Sequence, residues 1–228
     1  MKLKKQTLKS IFVLVISLLL SGATAFAQEG NKEEIKKEPL YRGTYISADL
    51  FGIGSKLFGS DFLSSEINVA VNLKNQFFPA LEAGYGTTDT NNEEKGIHYK
   101  SSAPYFRLGL NFNTMFKKKS ESFLYVGVRY GITSFSYDVN GTLKDPIWGD
   151  EYPFSHDNQK STFQWFEALV GVNVQIYKNF HMGWAVRYKV RLSVKDNPYT
   201  DPWYIPGFGA NKSSNIGVTY SLTYKLPF

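Results

Sequence analysis

Eight stretches of this chain alternate apolar and polar residues with a period of two, the mark of strands with two unlike faces. The first places Thr44, Ile46, Ala48 and Leu50 on one face, with Tyr45, Ser47 and Asp49 on the other. The second sets Ile67, Val69, Val71 and Leu73 against Asn68, Ala70, Asn72 and Lys74. The third sets Leu81, Ala83 and Tyr85 against Glu82, Gly84 and Gly86, and the fourth Phe106, Leu108, Leu110 and Phe112 against Arg107, Gly109, Asn111 and Asn113. A fifth opposes Leu124, Val126, Val128, Tyr130 and Ile132 to Tyr125, Gly127, Arg129 and Gly131. The sixth runs from Phe166 to Ile176 with Glu167 on its polar face, and the seventh from His181 to Leu192 with Arg187, Lys189 and Arg191 on its polar face. The last opposes Ile216, Val218, Tyr220, Leu222, Tyr224 and Phe228 to Asn215, Gly217, Thr219, Ser221 and Thr223.

The connections between these stretches run long, short, long, short, long, short, long. The short ones lie near Lys74–Pro79, Thr114–Ser122 and Tyr177–Phe180. The long ones are Gly52–Ser65, Thr87–Ala103, Tyr137–Ser161 and Ser193–Ser213. An even number of strands of about ten residues, with short turns at one end and long loops at the other, predicts an eight-stranded antiparallel up-and-down transmembrane β-barrel. The short turns and both termini would be periplasmic, and the four long loops extracellular. A soluble sandwich alternates in the same way with its apolar face inward, but has no reason to segregate its loop lengths.

Charges on the polar face sharpen the prediction. Asp49, Glu82 and Glu167 face Arg107, Arg129, Arg187, Lys189 and Arg191. The interior of an eight-stranded barrel is too narrow for a pore and fills with side chains, so enclosed charges need partners. These eight residues are the expected lumen charge network, read either as structural ion pairs or as a narrow conduit. Aromatic residues, 16% of the chain, gather at strand ends as an interfacial girdle requires. Phe77, Phe78, Phe116, Tyr177, Phe180, Tyr224 and Phe228 fall at the turn end, and Tyr85, Tyr105, Tyr137, Trp165 and Phe166 at the loop end.

The first 27 residues read differently. Lys2, Lys4, Lys5 and Lys9 precede the short apolar run Ile11–Leu20, and Ala25-Phe26-Ala27 supplies a small-x-small site, so a signal peptide cleaved before Gln28 is expected. The apolar run has about half the length needed to span a bilayer as a helix. Residues 28–40 are charged and unpatterned, a flexible leader, and 41–228 form the barrel domain. The four signal lysines leave with the peptide, taking the formal charge from +6 to +2. The basic balance therefore does not argue for nucleic acid as a partner. The chain has no cysteine, which removes disulfides, thiolate metal sites and lipid attachment through an N-terminal Cys.

The chain ends Tyr220-x-Leu222-x-Tyr224-x-Leu226-x-Phe228. This resembles the terminal strand signal read by the barrel-assembly machinery of a Gram-negative outer membrane, and the resemblance implies that Tyr220, Leu222, Tyr224 and Phe228 carry it. Pro227 removes a backbone donor, tolerable only where strand pairing ends. Several further stretches resemble a family of uncharacterised exported proteins from Bacteroides-type bacteria that carries only a domain-of-unknown-function label. They are Ala48–Gly52, Leu57–Phe62, Asn72–Pro79, Lys95–Lys100, Asp145–Gly149 and Asp201–Gly209. The resemblance spans the mature chain, implies an outer-membrane placement and imports no activity.

The chemistry-bearing residues are sparse. His98 and His156 fall in expected outer loops and His181 on the polar face of the seventh stretch. A lipid-modifying barrel needs a His with a Ser or Asp partner at the lipid-facing surface, and His156-Asp157 beside Ser155 is a weak match. No cofactor or metal is expected: three scattered histidines without cysteine do not make a metal site, and Gly52-Ile53-Gly54 lacks the rest of a phosphate loop. The outer loops carry Trp148, Trp203, Tyr204 and Phe208, either as the small core of a cap formed by loops three and four or as an exposed patch for a surface glycan or protein. The expected function is a small non-catalytic outer-membrane barrel in contact with membrane lipid, structural or interacting through its outer loops. A lipid-modifying outer-membrane enzyme and a periplasmic lipocalin-like carrier are the alternatives.

Overall fold

The structure, a computed structural model, describes residues 39–52, 62–92, 96–118, 120–144, 151–194 and 200–227. The expected signal peptide, most of the leader, Trp148 and Phe228 lie outside the described residues. Seven strands come first: β1 (Tyr41–Asp49), β2 (Phe62–Leu73), β3 (Phe77–Asn92), β4 (Ile97–Asn113), β5 (Phe123–Lys144), β6 (Glu151–Tyr177) and β7 (Phe180–Val194). A two-residue hairpin follows, β8 (Tyr204–Ile205) with β9 (Gly209–Ala210), and then β10 (Ser214–Lys225). All strands but β8 and β9 form one closed antiparallel ring in the order β1-β10-β7-β6-β5-β4-β3-β2. The ring closes where Tyr45 pairs with Lys225 and Asp49 with Ser221. Pairing ends at Leu226, whose N–H donates to the Thr44 carbonyl, one residue short of Pro227.

The outward face is apolar. Ile67, Leu81, Leu108, Val170, Val186 and Ile216 are each more than half exposed, Ile216 at 75%. The inward face holds the core in three levels. At the turn end Tyr45, Phe78 and Phe123 pack with Ala70 and Ala80. Midway lie buried Glu66, Glu82, Arg107, Arg129, Glu167 and Arg187. At the loop end Tyr99, Tyr105, Phe135, Tyr137, Phe163 and Trp165 enclose Ile205 and Phe208.

Two of the four expected long loops are mostly strand. β3 and β4 stay paired out to Asn92↔Ile97, and β5 and β6 out to Lys144↔Glu151. Outward apolar alternation stops short of these extensions because the apolar residues change faces. Up to Ile132 the outward positions of β5 are apolar and exposed or half-buried. Beyond it Ser134 faces out, while Phe135, Tyr137 and Val139 face in and are buried. The girdle needs a correction: Phe78, Tyr105, Tyr137 and Trp165 fall on inward positions of their strands and are at most 2% exposed. Tyr85, Phe77, Tyr177, Phe180 and Tyr224 do lie outside and exposed.

Candidate functional site

The lumen is built around one carboxylate. Glu82, from the centre of β3, accepts from Arg129 Nε at 2.8 Å, from Arg107 Nη1 at 3.0 Å and from Arg187 Nη1 at 2.8 Å. Glu167 on β6 accepts from Arg187 Nη1 at 3.1 Å and from the Trp165 indole at 2.6 Å. Arg107 Nε lies 2.9 Å from Glu167 Oε1 but makes no hydrogen bond, so that contact is an ion pair only. Glu66 on β2 accepts from Tyr105 Oη at 2.9 Å and from Arg107 Nη1 and Arg187 Nη2. Arg129 Nη1 also reaches Asn111 Oδ1 at 2.7 Å. The charges therefore interlock across the ring, from β2 and β3 to β6 and β7. Glycines on the polar face make room for this: a Cβ on Gly131 would lie 2.2 Å from the Trp165 ring.

Five of the eight expected network residues meet here: Glu82, Arg107, Arg129, Glu167 and Arg187. Lys189 points from the same face toward the loop end, where its Nζ donates to the Gly207 carbonyl at 2.7 Å. Asp49 and Arg191 are not members. Asp49 closes the end of β1 by accepting from the Phe51 and Tyr220 backbone N–H groups. Arg191 is exposed, with Nη1 3.3 Å from Asn211 Oδ1. Asp49 sits at the last β1–β10 pair, on the wall of the cavity that Glu66, Arg129 and Arg187 also line, and Arg191 lies just beyond the start of β10. Glu66 was missed because β2 begins earlier than its apolar alternation. It sits two residues before Asn68, so the period itself marked its face.

The fourth loop is folded inward. The Gly207 carbonyl accepts from Arg107 Nη2 at 2.9 Å as well as from Lys189. Phe208, 1% exposed, packs 4.7 Å from the Phe163 ring and 6.0 Å from Trp165. Tyr99 Oη donates to the Tyr204 carbonyl at 2.8 Å, and Tyr137 Oη to that of Thr200. Trp203 stacks on Tyr99 at 6.0 Å and 12° and keeps 37% of its surface exposed. Gly207 has φ +79°, and a Cβ there would lie 2.5 Å from the Tyr105 ring. Of the candidate loop aromatics, Phe208 is thus a buried plug, Tyr204 half-buried and Trp203 partly exposed. The described residues seat this loop on the strand extensions of the barrel. Burial in the cap raises the phenol pKa of Tyr99, Tyr137 and Tyr204.

The histidines stand apart. His98 Nε2 lies 2.6 Å from Asp89 Oδ1 on the exposed β3–β4 extension, and this hydrogen bond lowers the Asp89 pKa. With the Asn140 amide turned so that its nitrogen donates to Ser155 Oγ at 2.7 Å, the Ser155 hydroxyl donates to Asp157 Oδ2 at 2.9 Å. That serine is therefore bonded to a carboxylate, not to an imidazole. His181 is fully buried and edge-on to Tyr45 at 5.4 Å. At the same turn end, on β10, Leu222 and Tyr224 face outward and exposed, paired with Met182 and Phe180, with Tyr220 beside them. Tyr224 lies 5.0 Å from Phe180, and Tyr220 5.4 Å from Trp184.

Three solved structures are similar to this chain. Neisserial surface protein A (NspA) shares 15% identity at a TM-score of 0.47, covering 82% of this chain and 99% of that one. A major outer membrane protein from Thermus thermophilus shares 11% identity at 0.47, covering 82% and 100%. CarO2 of Acinetobacter baumannii shares 10% at 0.37, covering 83% and 100%. No curated protein sequence matches the chain. The family model described as Domain of unknown function (DUF6048) matches residues 7–228, and the chain belongs to that family.

Proposed function

We propose that this protein is a small non-catalytic outer-membrane β-barrel that serves as a structural element or presents its capped outer end for surface interaction. The observation that carries the reading is the inversion of its faces. Large apolar side chains ring the outside of every barrel strand, while charged side chains fill the middle of the inside. In water an exposed apolar patch of this extent would drive association, whereas in lipid it is the required surface. The closed ring also leaves no unpaired strand edge where lipid would meet it. On β5 the outward apolar run Leu124–Ile132 has nine residues, close to the length that crosses a bilayer when tilted. The short turns at the Lys74 and Lys178 end support an orientation in which that end is periplasmic and the β3–β6 extension lies outside.

The interior supports the non-catalytic part. The lumen charges are bonded to one another and to the cap. The cavity beside them, between Ser47, Glu66, Asn68 and Arg187, has a volume of about 30 Å³, room for water and for no larger ligand. A lipocalin-like carrier needs an apolar cavity, and the middle of this barrel is filled by Glu66, Glu82, Glu167 and their arginines. The test is electrophoretic mobility with and without boiling after folding in detergent, together with membrane fractionation. The folded protein should migrate differently from the boiled one and sediment with outer membranes. Identical migration and a soluble protein would end the barrel reading.

A further inference from the structure

The two ends of the barrel differ in charge. At the turn end the described residues include six cations, Arg42, Lys74, Lys117, Lys118, Lys178 and Lys225, against one carboxylate, Glu121. Lys225 Nζ is bridged to Glu121 at 2.8 Å, so the rim keeps a clear excess of positive charge. The loop end is mixed, with Asp89, Asp138, Asp157 and Asp201 among Lys100, Lys160, Arg191 and Lys212. The asymmetry is local and not a reflection of net charge.

Two of these lysines occupy costly positions. Lys74 has φ +54° and Lys178 φ +47°. Hairpin turns with left-handed residues favour Gly, Asn or Asp there, because a Cβ crowds the backbone. A lysine at both positions is poorly explained by turn geometry and well explained by what its ammonium group meets. The exposed rings of Phe77, Tyr177, Phe180 and Tyr224 form the last apolar row before the lysines. Lys178 Nζ sits 5.1 Å from the Tyr177 ring centroid. Aromatic rings followed at once by long cationic side chains are the arrangement of a lipid–water interface, with stems along the apolar surface and charges among headgroups.

We infer that the turn end is a docking ring for anionic phospholipid headgroups, with Lys74, Lys117, Lys118 and Lys178 as the recognising groups. The inference rests on the membrane reading above and names the lipid class that the periplasmic rim selects. All four lysines are exposed or half-exposed, and none has a carboxylate partner among the described residues. Charge complementarity and continuity with the apolar face both point to a phosphate-bearing surface.

The test uses the folded full chain in mixed phosphatidylcholine and phosphatidylglycerol vesicles, with spin-labelled forms of each lipid reporting occupancy at the protein surface. Phosphatidylglycerol should be preferred by about threefold, and the preference should collapse at about 1 M salt, where the screening length is about 3 Å. Lys74→Gln, Lys117→Gln, Lys118→Gln and Lys178→Gln together should bring it close to unity. The pair Lys117→Gln and Lys118→Gln, which leaves the tight turns intact, should remove about half of it. Lys100→Gln, Lys160→Gln and Lys212→Gln at the other end should leave it unchanged. Equal preference in the fourfold variant and the native chain would overturn the inference, as would equal loss from the loop-end variant. Retention on purified peptidoglycan that depends on the same four lysines, without a lipid preference, would reassign them and also overturn it. A chain that does not enter vesicles at all fails the membrane reading, whereas insertion without lipid preference fails this inference alone.

Discussion

Glu82 is the residue on which the interior turns. Three guanidiniums converge on its two oxygens, and its side chain is fully buried. Buried ion pairs are often no more stabilising than a well-packed apolar replacement, yet removing one partner strands the rest. Glu82→Gln should therefore lower unfolding stability in detergent micelles by about 3–5 kcal/mol. Asp49→Asn, outside the network, should shift it by less than about 0.5 kcal/mol. Equal effects from the two would mean that the lumen charges are not one unit. The distinction between Glu82 and Asp49 was not legible in the sequence. Both alternate onto the polar face, and the period tells the face but not the depth. Depth follows from the stagger of neighbouring strands, which pairs Glu82 with Arg107 on one side and Asn68 on the other. It leaves Asp49 at the edge of the β1–β10 seam.

At the scale of elements, the β7–β10 connection and the strand extensions form one part. The connection folds inward because Gly207 adopts a left-handed conformation flat against Tyr105, and its carbonyl meets two cations. Gly207→Ala should displace the cap, since the added carbon has neither the space nor the favoured φ. The expected result is rapid protease cleavage within 200–213 while the unboiled band of the barrel persists. Simultaneous loss of both would show that cap and barrel fold together. Alkali should act on the same part. The raised phenol pKa values of Tyr99, Tyr137 and Tyr204 mean that their contribution to cap stability is whole below pH 10, the ordinary tyrosine value. It is lost as pH rises through the higher folded values. In a tyrosinate absorbance titration these phenols should ionise after the exposed ones, and Gly207→Ala should remove the delay. The sequence marked Trp203, Tyr204 and Phe208 as ordered but left their seat open. That seat is made by inward Tyr99, Phe135, Tyr137 and Phe163, on strands whose outward faces have already become polar. A search for outward apolar alternation stops before reaching them.

For the whole molecule, closure was legible early, because an all-antiparallel ring needs an even set of paired strands, and the turn lengths distinguish the two ends. What alternation could not decide is which face meets solvent, and the structure makes that a measurable question at Leu108. This residue is 64% exposed at the centre of outward β4, with Leu81 and Tyr130 as its cross-strand neighbours. If the belt sits in lipid, Leu108→Arg carries a charge to the bilayer midplane and should cost about 2–4 kcal/mol in vesicle unfolding experiments. Ser134→Arg, on the same outward face just past the apolar run of β5, should cost about 0–1 kcal/mol, as expected near an interface. On a water-exposed strand both changes would be small, because surface substitutions away from special features stay within about 0.5 kcal/mol. The difference between the two sites, rather than either value alone, reports the depth of the belt. A small and equal effect at Leu108 and Ser134 would place the apolar face in water and undo the membrane reading, leaving the charged lumen as the core of a soluble barrel.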